Sequence, residues 1–219
     1  MPATPPFCHI VMATDSLSLP RPWDMRRPDE FPEKHFFFRD TYPHLLQSRL
    51  RAAMPAANVQ VTNIAQRSAT MDTAFARRRE ILNWMEPSAC VLQFGIVDCW
   101  VRRNEDRRFR LPLDDFASNA RQLIETRDQT NPGLPLVFMG VLPTHAVHLK
   151  SQPDQNDIIA AYNQALRDLC SGRAGFVDVE KHYFEIGEQV GHADGHHLSH
   201  LGHRLYADEL VRLLLLALA

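Results

Sequence analysis

Short apolar segments that alternate with helical patterns are the strongest constraint on how this chain folds. The segments predicted as strands are Phe7 to Ala13, Val59 to Ile64, Ala89 to Phe94, Leu136 to Leu142 and Gly175 to Val179. Because most of these segments are nearly continuously apolar, the sheet that they form is expected to be buried on both faces. Alternation of such strands with helices predicts an α/β fold, in which a parallel sheet is covered by helices on both faces.

Helical periodicity fills the intervals between these predicted strands. The predicted helices are Tyr42 to Met54, Thr70 to Met85, Leu113 to Arg127 and Gln155 to Leu169. A last helix is predicted after Ser199, whose hydroxyl suits the N-cap position. A chain of 219 residues is long enough to bury one sizeable core, so residues 1–219 are predicted to form a single domain.

Charge and hydropathy argue against two classes of partner. The net charge is −2 at pH 7, which provides no overall positive field for nucleic acid. The apolar run from Leu210 to Ala219 is shorter than the ~20 residues that span a bilayer. We therefore expect neither nucleic-acid binding nor a membrane span. The four cysteines are not close to one another in sequence, which fits a reduced, cytoplasmic protein; they are Cys8, Cys90, Cys99 and Cys170.

Two segments interrupt the alternation of strands and helices. Residues Leu19 to Arg39 are rich in proline, arginine and aromatic residues, and Trp100 to Pro112 is rich in arginine. Each follows the C-terminal end of a predicted strand, which is the edge where ligands bind in open α/β sheets. These long segments are expected to shape a binding pocket.

A candidate nucleophile and a candidate acid–base pair lie at opposite ends of the chain. Asp194 precedes His197 by three residues, and Gly195 allows a turn between them. A carboxylate placed in this way can orient an imidazole as a general base. Ser16 follows the first predicted strand, where its hydroxyl can become the nucleophile that such a base activates. Taken alone, Ser16 is also what a cap or turn would contain.

The histidines near the C-terminus allow a second interpretation, which is a metal site. Five of them fall within twelve positions: His192, His196, His197, His200 and His203. His196 and His200 have the i, i+4 spacing that lets two imidazoles share one helix face. We favour the acid–base pair and expect no metal or other cofactor, because Asp194 is the only nearby carboxylate and no H-E-x-x-H motif is present. His200 and His203 are expected on exposed first turns of the last helix.

Four blocks of the sequence resemble the SGNH, or GDSL-type, hydrolases. Thr14 to Ser18 resembles the Gly-Asp-Ser-Leu block, Gly95 to Asp98 the Gly-x-Asn-Asp block, and Asp194 to Leu198 the Asp-x-x-His block. Asn63 to Thr70 falls where the family has its glycine block. The resemblance is closest to a bacterial branch that often accompanies surface-polysaccharide genes. Its motifs are matched by Asp15 to Arg21, Thr41 to Pro43 and Gly95 to Cys99.

The resemblance implies a three-layer α/β/α sandwich with a flavodoxin-like, five-stranded parallel sheet. It also implies that Ser16 is the nucleophile, His197 the base and Asp194 the acid. Backbone N–H groups of Ser16 and Ser68 would form the oxyanion hole. The chain departs from the family at the first-block glycine (Thr14), the second-block glycine (Ser68) and the oxyanion-hole asparagine (Val97). The last change removes a side-chain donor, so hydrolysis is expected to be slow unless another group substitutes.

Charged residues after the predicted strands are candidates for contacts with the substrate. Arg21, Arg67 and Arg102 are each predicted at the C-terminal edge, where a guanidinium can hold an oxyanion, a carboxylate or a phosphate. Each is also what a solvated surface would contain. Asp98 is interpreted either as a structural acceptor for loop N–H groups, which we favour, or as a partner for an arginine.

Three functions remain open on this evidence. The first is a serine esterase that removes a small acyl group from an ester, such as an O-acylated carbohydrate. The second is an O-acyltransferase that uses the same residues with a sugar or polysaccharide acceptor, since a pocket that excludes water favours transfer. The third is a weakly active binding module for an anionic ligand, which the altered residues at Thr14, Ser68 and Val97 suggest.

Overall fold

Five parallel strands form a single sheet in the order β2-β1-β3-β4-β5. The computed structural model describes residues 5–20, 36–100, 110–192 and 194–218. Within these residues the strands are β1 (Phe7–Thr14), β2 (Asn58–Asn63), β3 (Ala89–Gln93), β4 (Leu136–Met139) and β5 (Gly175–Val177). This arrangement confirms the predicted fold class.

Helices cover both faces of the sheet. They are α1 (Tyr42–Ala53), α2 (Met71–Ala76), α3 (Leu113–Thr130), α4 (Ala146–Leu149), α5 (Gln155–Cys170), α6 (Glu180–Ile186) and α7 (His200–Leu218). Among these described helices, none has the length and apolar character needed to cross a bilayer. The short helices α4 and α6 were not predicted, because neither is long enough to show a helical period.

The two faces of the sheet carry separate cores, because successive side chains of a strand point in opposite directions. Ile10 and Met12 of β1 pack in the cluster that contains the inner sides of α1 and α7. Val11 of β1 and Leu92 of β3 pack in the other cluster, with α2, α3 and α5. Burial of both faces explains why the inner strands β3 and β4 are apolar without polar alternation. Strand β2, at the edge of the sheet, does alternate between apolar and polar residues.

Two predicted elements end at least three residues earlier than their apolar patterns indicate. The prediction of one helix from Thr70 to Met85 is wrong, because α2 ends at Ala76 and a wide π-turn follows over Glu80–Trp84. The π-turn lets the consecutive residues Ile81 and Leu82 both be buried. Strand β4 ends at Met139, because the side chain of Asn163 then takes over the hydrogen bonds of the Val141 backbone (2.6 and 2.8 Å).

The sheet order places a topological switch point between β1 and β3. The chain leaves β1 toward β2 on one side and returns to β3 on the other, so the loops after β1 and β3 diverge. Ligands of open α/β sheets bind in the crevice that forms at such a point. Ser16 follows β1, and the segment from Gly95 to Asp98 follows β3.

Candidate active site

Ser16, His197 and Asp194 form a continuous hydrogen-bonded chain. The Oγ of Ser16 lies 3.2 Å from Nε2 of His197, and Nδ1 of His197 lies 3.0 Å from Oδ2 of Asp194. A carboxylate on Nδ1 fixes the tautomer in which Nε2 is free to accept the hydroxyl proton of a nucleophile. The arrangement is therefore able to activate Ser16.

The turn that carries Ser16 is held by its neighbours on either side. Ser16 begins a 3-10 turn (Ser16–Ser18), and Oδ1 of the preceding residue, Asp15, accepts the N–H of Leu17 at 2.8 Å. Asp15 is completely buried, and this burial raises the pKa of its carboxyl to about 7. Ser16 is thus held by a buried carboxyl group directly after β1.

Thr14, where the family has a glycine, joins a ring of polar side chains beneath this turn. Its hydroxyl donates to Oδ1 of Asn63 at 2.9 Å, and the amide of Asn63 donates to Oγ of Ser18 at 2.9 Å. The hydroxyls of Ser18 and Thr14 close the ring at 2.5 Å. All three side chains are satisfied, so the substitution of glycine at this position does not leave a buried hydroxyl unpaired.

The loop that carries Asp194 and His197 is fixed by backbone hydrogen bonds to the Asp194 carboxylate. Oδ1 of Asp194 accepts the N–H groups of His196 (3.2 Å) and His197 (3.0 Å). Gly195 between them has φ +80°, and a Cβ there would lie 2.2 Å from Cδ2 of His148. A side chain at position 195 would displace His148. The turn that brings Asp194 to His197 therefore needs glycine.

An open cavity of about 270 Å³ adjoins the serine and the imidazole. Its lining combines apolar side chains, imidazoles and one guanidinium, namely Ser16, Leu17, Ile96, Val97, Trp100, Arg110, His196 and His197. The ring of His196 packs edge-on against Trp100, with centroids 4.3 Å apart, and stacks on His148 at 4.0 Å. Loops after β1, after β3 and before α7 all contribute, as expected at the switch point.

Comparison with known protein families shows to which family the chain belongs. The model of the GDSL-like lipase/acylhydrolase family matches residues 27–205. The chain belongs to this family. It is therefore an SGNH-type hydrolase, as the sequence motifs indicated. The matched range includes Asp194 and His197 but begins after Ser16, so the assignment of Ser16 depends on the geometry described above.

Solved structures of family members share this fold at low sequence identity. A lipase/acylhydrolase from Enterococcus faecalis superposes with a TM-score of 0.71 and 18% identity, covering 94% of each chain. A catalytic mutant of the acetylxylan esterase Axe2 from Geobacillus stearothermophilus gives 0.70 and 16%, covering 96% of this chain and 94% of the other. A GDSL-like lipase from Parabacteroides merdae, described as putative, gives 0.71 and 16%, covering 94% of each. No curated protein sequence matches significantly.

Ser16 and Ser68 carry the backbone N–H groups that are predicted to form the oxyanion hole. Within the described residues, neither of these N–H groups donates a loop or turn hydrogen bond to the backbone. Ser68 has φ +58°, a conformation that favours glycine, and the family has glycine in this block. Val97 lines the cavity with methyl groups where the family has an asparagine.

Asp98 accepts a backbone N–H group, as predicted for a structural acceptor, and it also interacts with the charge of Arg110. It is completely buried, and its Oδ1 accepts the N–H of Met71 at the first turn of α2, at 2.8 Å. Burial raises the pKa of this carboxyl to about 7, and the charge of Arg110 opposes that rise. Because no part of its surface is accessible, Asp98 is not among the substrate-contacting residues proposed below.

The predicted arginines have different outcomes. Arg67 is exposed in the turn beside Ser68 and is not one of the residues that line the cavity. Arg21 and Arg102 lie outside the described residues. Arg110, at the end of the second arginine-rich segment, does line the cavity. Sequence reasoning missed it because several arginines share that segment and periodicity does not tell which one faces a pocket.

The histidines near the C-terminus lie in different environments. The expectation that His203 is exposed is wrong, because it is 2% exposed and its Nδ1 accepts the N–H of Tyr42 at 3.2 Å. His200, by contrast, is exposed on the first turn of α7. No group of three or more potential ligands in the described ranges is arranged to hold a metal ion.

Proposed function

We propose that the protein is a serine esterase that removes a small acyl group from an O-acylated carbohydrate. The observation that carries the proposal is the hydrogen-bonded chain from Ser16 through His197 to Asp194, which opens onto the cavity. Ser16 is the proposed nucleophile, His197 the general base and Asp194 the acid that orients it.

The proposed reaction has two steps. Oγ of Ser16 attacks the ester carbonyl carbon while Nε2 of His197 takes the hydroxyl proton, and the N–H groups of Ser16 and Ser68 stabilise the oxyanion. Collapse breaks the bond to the alcohol oxygen, which leaves with the proton from His197. A water molecule, deprotonated by His197, then attacks the acyl-serine, releases the carboxylic acid and returns the proton to Ser16.

The cavity supports a small acyl group and a carbohydrate alcohol. Its volume of about 270 Å³ is at the low end for ligand pockets. Trp100 gives it an aromatic wall of the kind that packs against the C–H groups of a sugar ring. Two of the similar structures are described as an acetylxylan esterase and an acetyl-xylooligosaccharide esterase, which agrees with this substrate class.

Acyl transfer to a sugar hydroxyl is the second candidate, and the apolar lining of the cavity is the observation that favours it. Leu17, Ile96 and Val97 lie beside Ser16 in that lining. Apolar walls disfavour bound water, so a bound sugar hydroxyl can compete with water for the acyl-serine. Transfer would appear as acyl-sugar product that rises with acceptor concentration at the expense of free acid.

The test is hydrolysis of p-nitrophenyl acetate and of an O-acetylated xylo-oligosaccharide by the wild type and two serine variants. Ser16→Ala is expected to abolish release of acetate from both substrates. Ser171→Ala, an exposed serine at the end of α5, is the matched control and keeps full activity. Undiminished hydrolysis by Ser16→Ala would rule out the proposed nucleophile.

A further inference from the structure

We propose that His148 is a positioning residue that holds in place the loop with Asp194 and His197. This inference rests on the proposed function, since its effect passes through the proposed acid and base. Nε2 of His148 lies 2.5 Å from the backbone carbonyl oxygen of Asp194. A carbonyl oxygen accepts hydrogen bonds and does not donate them, so Nε2 carries the proton and His148 is the donor.

His148 belongs to a donor segment, residues 144–148, that binds two consecutive carbonyls of this loop. The hydroxyl of Thr144 donates to the carbonyl of Gly195 at 2.7 Å. The N–H of His145 donates to the same carbonyl at 3.2 Å. The donor segment follows β4 in the chain. Its hydrogen bonds therefore connect the loop to the end of a strand in the central sheet.

The donor segment is itself fixed by neighbouring elements. The side-chain amide of Asn156 on α5 accepts the N–H of Thr144 at 2.8 Å and donates to the Thr144 carbonyl at 3.2 Å. The hydroxyl of Tyr183 on α6 donates to that same carbonyl at 3.3 Å. The carboxylate of Glu188 accepts the N–H of Ala146 at 2.6 Å. A segment that is held from several sides can in turn position the loop that it binds.

Hydrogen bonds within the loop define its shape, whereas those from the donor segment define where it lies. The N–H of His192 donates to the carbonyl of His197 at 2.6 Å, and the N–H of Gly195 donates to the carbonyl of His192 at 2.8 Å. A turn closed in this way can still shift as one unit. Loss of the His148 donor removes a bond that opposes such a shift, which would lengthen the 3.2 Å contact between His197 and Ser16.

The ring of His148 lies behind the wall of the cavity. It stacks on the ring of His196, with centroids 4.0 Å apart and 25° between the ring planes. His196 lines the cavity, and His148 itself is not among the described lining residues. A substrate in the cavity therefore meets His196 and not His148. Because His148 acts through the position of His197, its loss should appear in kcat more than in KM.

The experiment compares three variants by their kcat and KM on p-nitrophenyl acetate. His148→Phe keeps a ring against His196 without a donor, His148→Gln places an amide N–H near the position of Nε2, and His148→Asn places its shorter amide near Nδ1. We expect His148→Phe and His148→Asn to lower kcat about 10-fold with little change in KM, because a misplaced base slows the reaction without weakening binding. His148→Gln should stay within about 2-fold of the wild type. Thermal unfolding followed by circular dichroism checks that each variant is folded at the assay temperature.

Two results would overturn the proposal. One is a wild-type kcat in His148→Phe, and the other is a kcat in His148→Gln that is as low as in His148→Asn, since only the longer amide reaches the carbonyl. If His148→Phe does not fold, the comparison of the two amides still decides. Ser16→Ala separates the two levels. Activity that survives it refutes the proposed function and this inference with it, whereas an inactive Ser16→Ala with unaffected His148 variants refutes this inference alone.

Discussion

The buried carboxyl of Asp98 makes the stability of the protein depend on pH. Burial raises its pKa from 3.8 to about 7, and one pKa unit equals about 1.4 kcal/mol, so ionising it in the folded state costs about 4 kcal/mol. The unfolded chain releases this proton near its ordinary pKa, whereas the folded chain keeps it until about pH 7. Stability is therefore lost as the pH rises from about 4 to about 7 and is recovered on acidification.

Asp98→Asn removes this titration and keeps an oxygen for the Met71 N–H. The linkage relation gives a cost for wild-type Asp98 that grows by about 3 kcal/mol between pH 5 and pH 8.5. The negative charge of Asp98 also raises the pKa of Asp15, so the neutral variant lowers that contribution as well. From pH 5 to pH 8.5 the free energy of unfolding should therefore fall by about 3 kcal/mol less in Asp98→Asn than in the wild type.

Urea unfolding followed by circular dichroism at both pH values measures this difference. The comparison uses the change with pH within each protein, so a constant cost of the buried amide cancels. Asp114→Asn is the charge-matched control, because Asp114 is exposed on the first turn of α3, and it should keep the wild-type pH dependence. Equal losses of stability in wild type and Asp98→Asn would refute the reasoning.

Three further predictions concern the cavity and its loop. Val97→Asn restores a side-chain donor beside the proposed oxyanion site and should raise kcat for p-nitrophenyl acetate about 10-fold or more; an unchanged kcat would show that backbone groups suffice. Arg110→Gln should raise KM about 10-fold for p-nitrophenyl hemisuccinate, whose acyl group is anionic, and leave the acetate unaffected; equal effects on both esters would contradict a role in substrate charge. Gly195→Ala should lower kcat about 100-fold, because the added Cβ collides with His148 and displaces the loop of the base; retained activity would show that the turn adapts.

The fold was predictable because burial on both faces of the sheet leaves a strong pattern in sequence. Runs such as Leu136 to Leu142 are apolar in consecutive positions only where helices cover both sides. The pattern did not show where a side-chain hydrogen bond ends a strand. Strand β4 stops at Met139 because Asn163, which is 24 positions later, binds the backbone of Val141, and no local period carries that contact.

The sequence predicts the parts of the candidate site that lie within short motifs. The spacing of Asp194 and His197 placed both in one turn, and the structure brings them to Ser16. Contacts that depend on loop shape were missed. Arg110 stands at the end of an arginine-rich segment, and the sequence does not show which of these arginines lines the cavity. Residues that meet through tertiary structure leave no signal of their own at a fixed spacing.

The most direct test of the account is covalent trapping of the nucleophile. The protein is incubated with a fluorophosphonate, digested, and the modified peptide is located by mass spectrometry. The account predicts one adduct, on Ser16, which forms much more slowly in His197→Ala because that variant lacks the base. An adduct on a different serine, or labelling of Ser16 at the same rate without His197, would contradict it.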